Sequence, residues 1–198
     1  SALGAEKPIV FGHSYGGAVA LAWALENPGD ISGLVVVSGV SNPWPGSLNP
    51  IYPVNASPLG AVTVVPIATA FRTEAAVNTA LNAIFAPQSP PDGYADTLGV
   101  GLSTRRESLR ANARQITRLK ADVTEMAPFY PGISVPTEIV HGTADTIVPL
   151  AVHAEPLSRQ IPGARLTPLE GIGHMPHRVA ERDVIAAIDR AAARAGLR

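Results

Sequence analysis

The chain has 198 residues, of which 46% are hydrophobic and 16% charged, with a formal net charge of −1 and no cysteine. That length and balance suit one folded unit with a substantial core, and exclude a disordered tail or charged linker. No basic stripe or polybasic cluster points to nucleic acid or a membrane surface, no apolar run reaches the roughly 18 residues of a spanning helix, and disulfides, thiolate metal sites and cysteine nucleophiles are excluded.

In chain order, Pro8-Ile9-Val10-Phe11 reads as a short strand buried on both faces. Gly12 to Gly17 reads as a sharp turn, and Ala18 to Glu26 as a helix that ends before Pro28-Gly29. Leu34 to Val37 is a second buried strand. From Asn42 to about Gly60 proline, glycine, serine and asparagine dominate, which predicts irregular chain. Thr73 to Phe85 has helical spacing with Thr73 as the cap, and Gln88 to Gly93 is turn-rich. Arg105 to Met126 is the clearest amphipathic helix, with Leu109, Ile116, Leu119, Val123 and Met126 on one face. After Pro136 come a strand over 137–140, a helix over 151–160, a strand over 164–169 and a helix over 183–195.

Gly12-His13-Ser14-Tyr15-Gly16 matches the G-x-S-x-G pattern between a strand and a helix. A serine hydroxyl is a weak nucleophile, so it needs exposure on a strained turn and a base to take its proton. Glycines on either side leave room for that turn, and the N–H of Tyr15 can face a developing oxyanion. Asp145 follows the 137–140 strand, where a carboxylate can hold an imidazole in one tautomer; an Asp in an ordinary β-turn is the competing account. His174, presented by Gly171 and Gly173, is favoured as the base over His177 three residues later. The order Ser, Asp, His, each at the exit of a separate strand, is stronger than any one residue. His141 and His13 sit beside motif glycines and are expected to pack or bond locally, His13 being also a candidate substrate contact with Trp44 and Val148. His153 is expected on a surface helix. No spacing suggests a metal site, and no cofactor is expected.

On the words Gly12-His13-Ser14-Tyr15-Gly16-Gly17, His141-Gly142-Thr143-Ala144-Asp145 and Gly171-Ile172-Gly173-His174, the chain resembles the α/β-hydrolase superfamily. The resemblance is to its lid-bearing esterases, C–C bond hydrolases and cofactor-free haloperoxidase-like enzymes. It implies an α/β fold: the C-terminal portion of a mostly parallel hydrolase sheet, helices on both faces, with an inserted, largely helical lid. Residues 1–41 and 131–198 would form the hydrolase core and 42–130 the lid. It also implies Ser14 as nucleophile, Asp145 as acid, His174 as base and Tyr15 as one oxyanion N–H; a serine at 14 sets aside the dehalogenase and epoxide-hydrolase branches.

Apolar residues of the insert (Trp44, Ile51, Tyr52, Leu59, Val62, Val64, Val65, Ile67, Phe71) fit either a lid core or a pocket for a hydrophobic small molecule. The function expected is cleavage of an ester or related acyl bond, in the cytoplasm. The alternatives are C–C bond hydrolysis, peroxidation of a carboxylic acid, or a non-catalytic binding protein on the same fold. Family members place further strands before the nucleophile strand, whereas seven residues precede Pro8 here. A complementing N-terminal hydrolase segment is therefore an expected partner, bringing the second oxyanion donor and covering an otherwise exposed strand edge.

Overall fold

The computed structural model describes residues 4, 6–47, 51–57, 73–99 and 105–197. Among the described residues, four parallel strands form one sheet in the order β1-β2-β3-β4: β1 (Ile9–His13), β2 (Gly33–Val37), β3 (Thr137–Gly142) and β4 (Arg165–Leu169). Parallel neighbours need crossover connections, and helices supply them. Helix α1 (Tyr15–Glu26) joins β1 to β2, and α6 (Ala154–Gln160) joins β3 to β4. The long β2–β3 connection carries α2 (Ile51–Ala56), α3 (Glu74–Phe85), α4 (Tyr94–Thr97), α5 (Arg106–Met126) and a 3₁₀ turn (Ala127–Gly132). After β4 come α7 (Pro176–Val179) and α8 (Glu181–Arg194).

The period-2 alternation of β2 sorts its side chains between two cores. Leu34 and Val36 pack with Leu21 and Ala24 of α1, Tyr130, Ile139 and Leu157 on one face. Val35 and Val37 pack with Val140, Leu169 and the α8 residues Val184, Ala187 and Ala191 on the other. This is why β2 reads as a continuous apolar run: all five of its residues are buried. Pro168 lies in β4, an edge strand of this sheet, where its missing N–H removes no ladder bond on the open side. β1 is the other edge among the described strands, and Phe11 on it is 42% exposed.

Several boundaries differ from the sequence reading. Helix α1 begins at Tyr15, directly after Ser14, rather than at Ala18, and α6 begins at Ala154 rather than at 151. Residues 51–56, expected to be irregular, form α2. Pro53 is tolerated there because it lies in the first turn, whose N–H groups have no intrahelical acceptors. The Thr73 cap is present: its hydroxyl accepts from the Ala76 N–H at 3.2 Å. Residues 58–72, which hold Leu59, Val62, Val64, Val65, Ile67 and Phe71, lie outside the described residues. Among the described residues no helix is long and apolar enough to cross a membrane.

One charged group sits inside the sheet. Glu138 on β3 is fully buried, on the face that α8 covers, and α8 brings two guanidinium groups to it. Arg190 Nε donates to one carboxylate oxygen at 2.9 Å and Arg194 Nη1 to the other at 2.7 Å. Removing both cations leaves a buried, unpaired carboxylate. The double substitution Arg190→Ala, Arg194→Ala is expected to cost about 3–5 kcal/mol of unfolding free energy, read by urea denaturation.

Candidate active site

The three strand exits meet at one edge of the sheet. Ser14 follows β1 with φ 53° and ψ −121°, a conformation that non-glycine residues rarely hold. Backbone bonds pin it on both sides. Its N–H donates to Val37 O at 3.1 Å, and its carbonyl accepts from Gly17 N at 2.9 Å and Val40 N at 3.0 Å. Gly12 is needed for space, since a Cβ there would run into the Gly16 carbonyl and come within 2.8 Å of Ala20 Cβ. Gly16 is not: a Cβ there meets nothing within 4 Å, so the expected crowding applies to only one of the two motif glycines. Tyr15 is the first residue of α1, and its N–H therefore has no intrahelical acceptor.

Asp145 reaches the same place from the loop after β3. That loop is bonded to the one carrying His174: Thr143 N donates to Leu169 O at 3.0 Å and Ala144 N to Ile172 O at 2.9 Å. Gly142 permits this approach, because a Cβ there would collide with the Ile172 carbonyl and lie 2.5 Å from Gly173 O. The result is a hydrogen-bonded chain through three side chains. His174 Nε2 lies 2.9 Å from Ser14 Oγ, and His174 Nδ1 lies 2.8 Å from Asp145 Oδ2. Asp145 Oδ1 accepts from the N–H groups of Ile147 and Val148, both at 2.9 Å. Burial alone pushes this carboxyl up, but its contacts with His141, His174 and the Val148 N–H outweigh that and hold it below the usual carboxylate range. His141 is fully buried; its Nε2 lies 3.5 Å from Asp145 Oδ2 and donates to Val148 O at 2.7 Å.

The imidazole beside Ser14 belongs to His174, not to the rival His177, whose ring packs at a tilt against His13 with centroids 4.3 Å apart. The structure places His13, a candidate substrate contact, at the loop that carries His174. It lies behind His174, where its Nε2–H donates to the His174 carbonyl at 2.8 Å, and it does not line the cavity next to Ser14. Burial pushes its pKa down to about 4, so the ring is a neutral donor. Trp44 and Val148 do line that cavity, which has a volume of about 420 Å³ and is walled also by Tyr52, Ile116 and Leu119. Lys120 Nζ stands 5.9 Å over the Trp44 ring.

Two further participants were not found in the sequence. Gln88 ties the loop that carries His174 to the β2–β3 connection: its amide donates to Gly171 O at 2.8 Å and accepts from Gly173 N at 2.9 Å. His153, expected on the surface, is 2% exposed and lines the cavity, because α6 turns its first residues toward the sheet edge. No local motif marks either residue.

The backbone of Ser14 carries strain that glycine would not. Ser14→Gly is expected to unfold with about 1 kcal/mol more stability than Ser14→Ala, the alanine keeping the Cβ that disfavours positive φ. Parallel urea titrations of the two variants check this.

With this geometry in view, comparison with known proteins places the chain. The sequence pattern of the alpha/beta hydrolase fold matches residues 1–180. A polyketide synthase, ThaQ, of Burkholderia thailandensis is 32% identical over 169 residues, which are 83% of this chain and 8% of that protein. A pimeloyl-acyl-carrier-protein methyl ester esterase of Aromatoleum aromaticum is 26% identical over 185 residues, covering 86% of this chain and 68% of its own length. The crystal structure of an esterase from Exiguobacterium antarcticum superposes with a TM-score of 0.70 at 19% identity, over 96% of this chain and 68% of that one. The chain thus spans only part of each of these proteins, from a small fraction of the synthase to about two thirds of the esterases. With the family pattern matched over most of its length and its four parallel strands flanked by helices, the chain belongs to the α/β-hydrolase fold family.

Proposed function

We propose that this protein is a serine hydrolase that cleaves an ester, or a related acyl bond, of a hydrophobic small molecule. The observation that carries this is the hydrogen-bonded chain Ser14–His174–Asp145 opening onto an apolar cavity. In this reading His174 Nε2 takes the Ser14 Oγ proton as Oγ attacks the substrate carbonyl carbon. The carbonyl oxygen gains the negative charge and faces the Tyr15 N–H at the start of α1. The tetrahedral species collapses, the bond to the alcohol oxygen breaks, and His174 returns the proton to that leaving group. Water, deprotonated by His174, then releases the acid and restores Ser14. Asp145 keeps the Nδ1 proton in place and stabilises the imidazolium, and His13 steadies the loop through the His174 carbonyl. The esterases among the similar proteins support the ester as the bond attacked.

An oxyanion site of this type uses two N–H donors, and Tyr15 is one. The open side of β1, a strand on which Phe11 is 42% exposed, supports a complementing N-terminal segment that pairs there and brings the second donor. Intact-mass analysis of native protein with full esterase activity that found only the 198-residue chain would count against this segment.

A fluorophosphonate probe is expected to label Ser14, with no labelling of Ser14→Ala. Asp145→Asn should keep the fold and lower kcat by roughly 10⁴-fold, the cost of a wrong imidazole tautomer. Wild-type protein that folds but resists the probe would defeat the reading. Trp44→Ala should raise KM for long-chain esters by about 10-fold and change kcat little, because the indole contributes ground-state and transition-state binding alike; initial-rate kinetics on alkyl esters of graded length check this.

A further inference from the structure

His153, a residue that is 2% exposed, lines the cavity beside Ser14, yet the mechanism above makes no use of it. Its orientation is fixed by two backbone donors. The N–H groups of Ser41 and Asn42 point at Nδ1 from 3.2 and 3.3 Å. Both are donors, so Nδ1 must present its lone pair, and in the neutral ring the proton sits on Nε2. Burial first, and the nearby His141 second, push the pKa down to about 4 against the opposing pull of Asp145, so the ring is neutral at neutral pH.

The platform beneath the ring is built from matched bonds. Ser41 Oγ donates to His153 O at 3.0 Å, Tyr130 Oη donates to Ser41 O at 2.7 Å, and the side-chain amides of Asn42 and Gln160 exchange bonds at 3.0 and 3.1 Å. Among the described residues no group accepts from His153 Nε2. The two ring nitrogens point in diverging directions, so with Nδ1 turned to Ser41 and Asn42 the Nε2–H is turned away from them. The Trp44 ring lies 6.2 Å from the imidazole, tilted by 54°, on the wall of the same cavity. The Nε2–H therefore opens on the cavity, where a ligand oxygen would accept from it, and a hydrogen bond of this kind contributes about 0.5–1.5 kcal/mol net.

We propose that the Nε2–H of His153 is a specificity donor: it hydrogen-bonds a neutral oxygen acceptor, of ketone type, set along the apolar chain of the substrate at a distance from the bond that is cleaved. A carboxylate is disfavoured there, because a neutral donor in an apolar cavity does not repay the loss of its hydration. The proposal rests on the hydrolase reading for the bond cleaved, but the state of His153 does not.

Ser14→Ala protein labelled with ¹⁵N-histidine tests the donor without turnover. At neutral pH the His153 ring should show a protonated Nε2 and a bare Nδ1, and heptan-2-one, heptan-3-one or heptan-4-one should shift the Nε2–H resonance. An Nδ1-protonated ring, or an Nε2–H resonance that none of the three ketones moves, overturns the proposal. In the wild type, phenyl heptanoates with a ketone walked along the acyl chain, and heptyl acetates with a ketone walked along the alkoxy chain, are compared with the plain chains. At least one should be preferred by about 2- to 10-fold in kcat/KM.

His153→Asn keeps an acceptor at the Nδ1 position for Ser41 and Asn42 but lacks the Nε2–H, and should bring that ratio to near one. His153→Gln, whose amide N–H extends to the ε position, should retain part of it. A ratio unchanged in His153→Asn, or no preferred ketone in either series, overturns the proposal. Wild-type protein that hydrolyses none of the esters while the resonance still responds to ketone defeats the ester reading and leaves the donor assignment standing.

Discussion

Asp145 holds a negative charge inside the protein, and much of the site exists to keep it there. Its carboxylate is removed from water, which by itself would favour the neutral acid, yet His141, the His174 imidazole and the Val148 N–H hold it ionised, while the Ile147 N–H also donates to it. The two N–H groups come from residues just beyond it, so the loop after β3 curls around its own carboxylate. The imidazole comes from the loop after β4, which is why those two loops must be bonded together, and why Gly142 sits where backbone from each passes. Once the carboxylate fixes the Nδ1 proton, Nε2 is left to face Ser14. A single buried charge therefore sets the tautomer, the ring plane and the spacing between the loops.

The β2–β3 connection takes part in the same construction. Gln88 clamps the loop before His174 through two hydrogen bonds, and Leu81, Phe85 and Tyr94 pack on Met175 just after it. Leu119 and Val123 of α5 pack against Ala18, Val40 and Val148, which lie close to Ser14 and Asp145 in the chain or in the loops around them. Tyr130 anchors Ser41, which in turn orients His153. The cavity is thus walled by side chains from the β2–β3 connection and floored by the strand exits, with polar groups limited to a few fixed positions. Such a surface offers a ligand shape and one or two hydrogen bonds more than charge.

Much was legible in the sequence because it rests on local rules. Parallel strands buried on both faces need continuous apolar runs, so 34–37 and 137–140 stand out. The strand-turn-helix with its glycine pattern marks Ser14, and the exits of the next strands mark Asp145 and His174. The Thr73 cap and the face of α5 follow from helix spacing. Other features had no local signature. Pro53 reads as a breaker until its place in a first turn is known, and the open space at Gly16 is invisible from the motif. Gln88, in a turn-rich stretch, looks like any exposed polar residue.

The sequence by itself determined the fold class, the order of the strands along the chain and the three residues that meet at their exits, because periodicity, turn chemistry and motif spacing are local. Only the tertiary structure decided what surrounds them. It set His13 behind His174, carried His153 from a supposed surface into the cavity wall, and paired Glu138 with Arg190 and Arg194 on the face that α8 covers. Those outcomes depend on contacts between residues roughly 50 to 160 positions apart, and no pattern within one element encodes them.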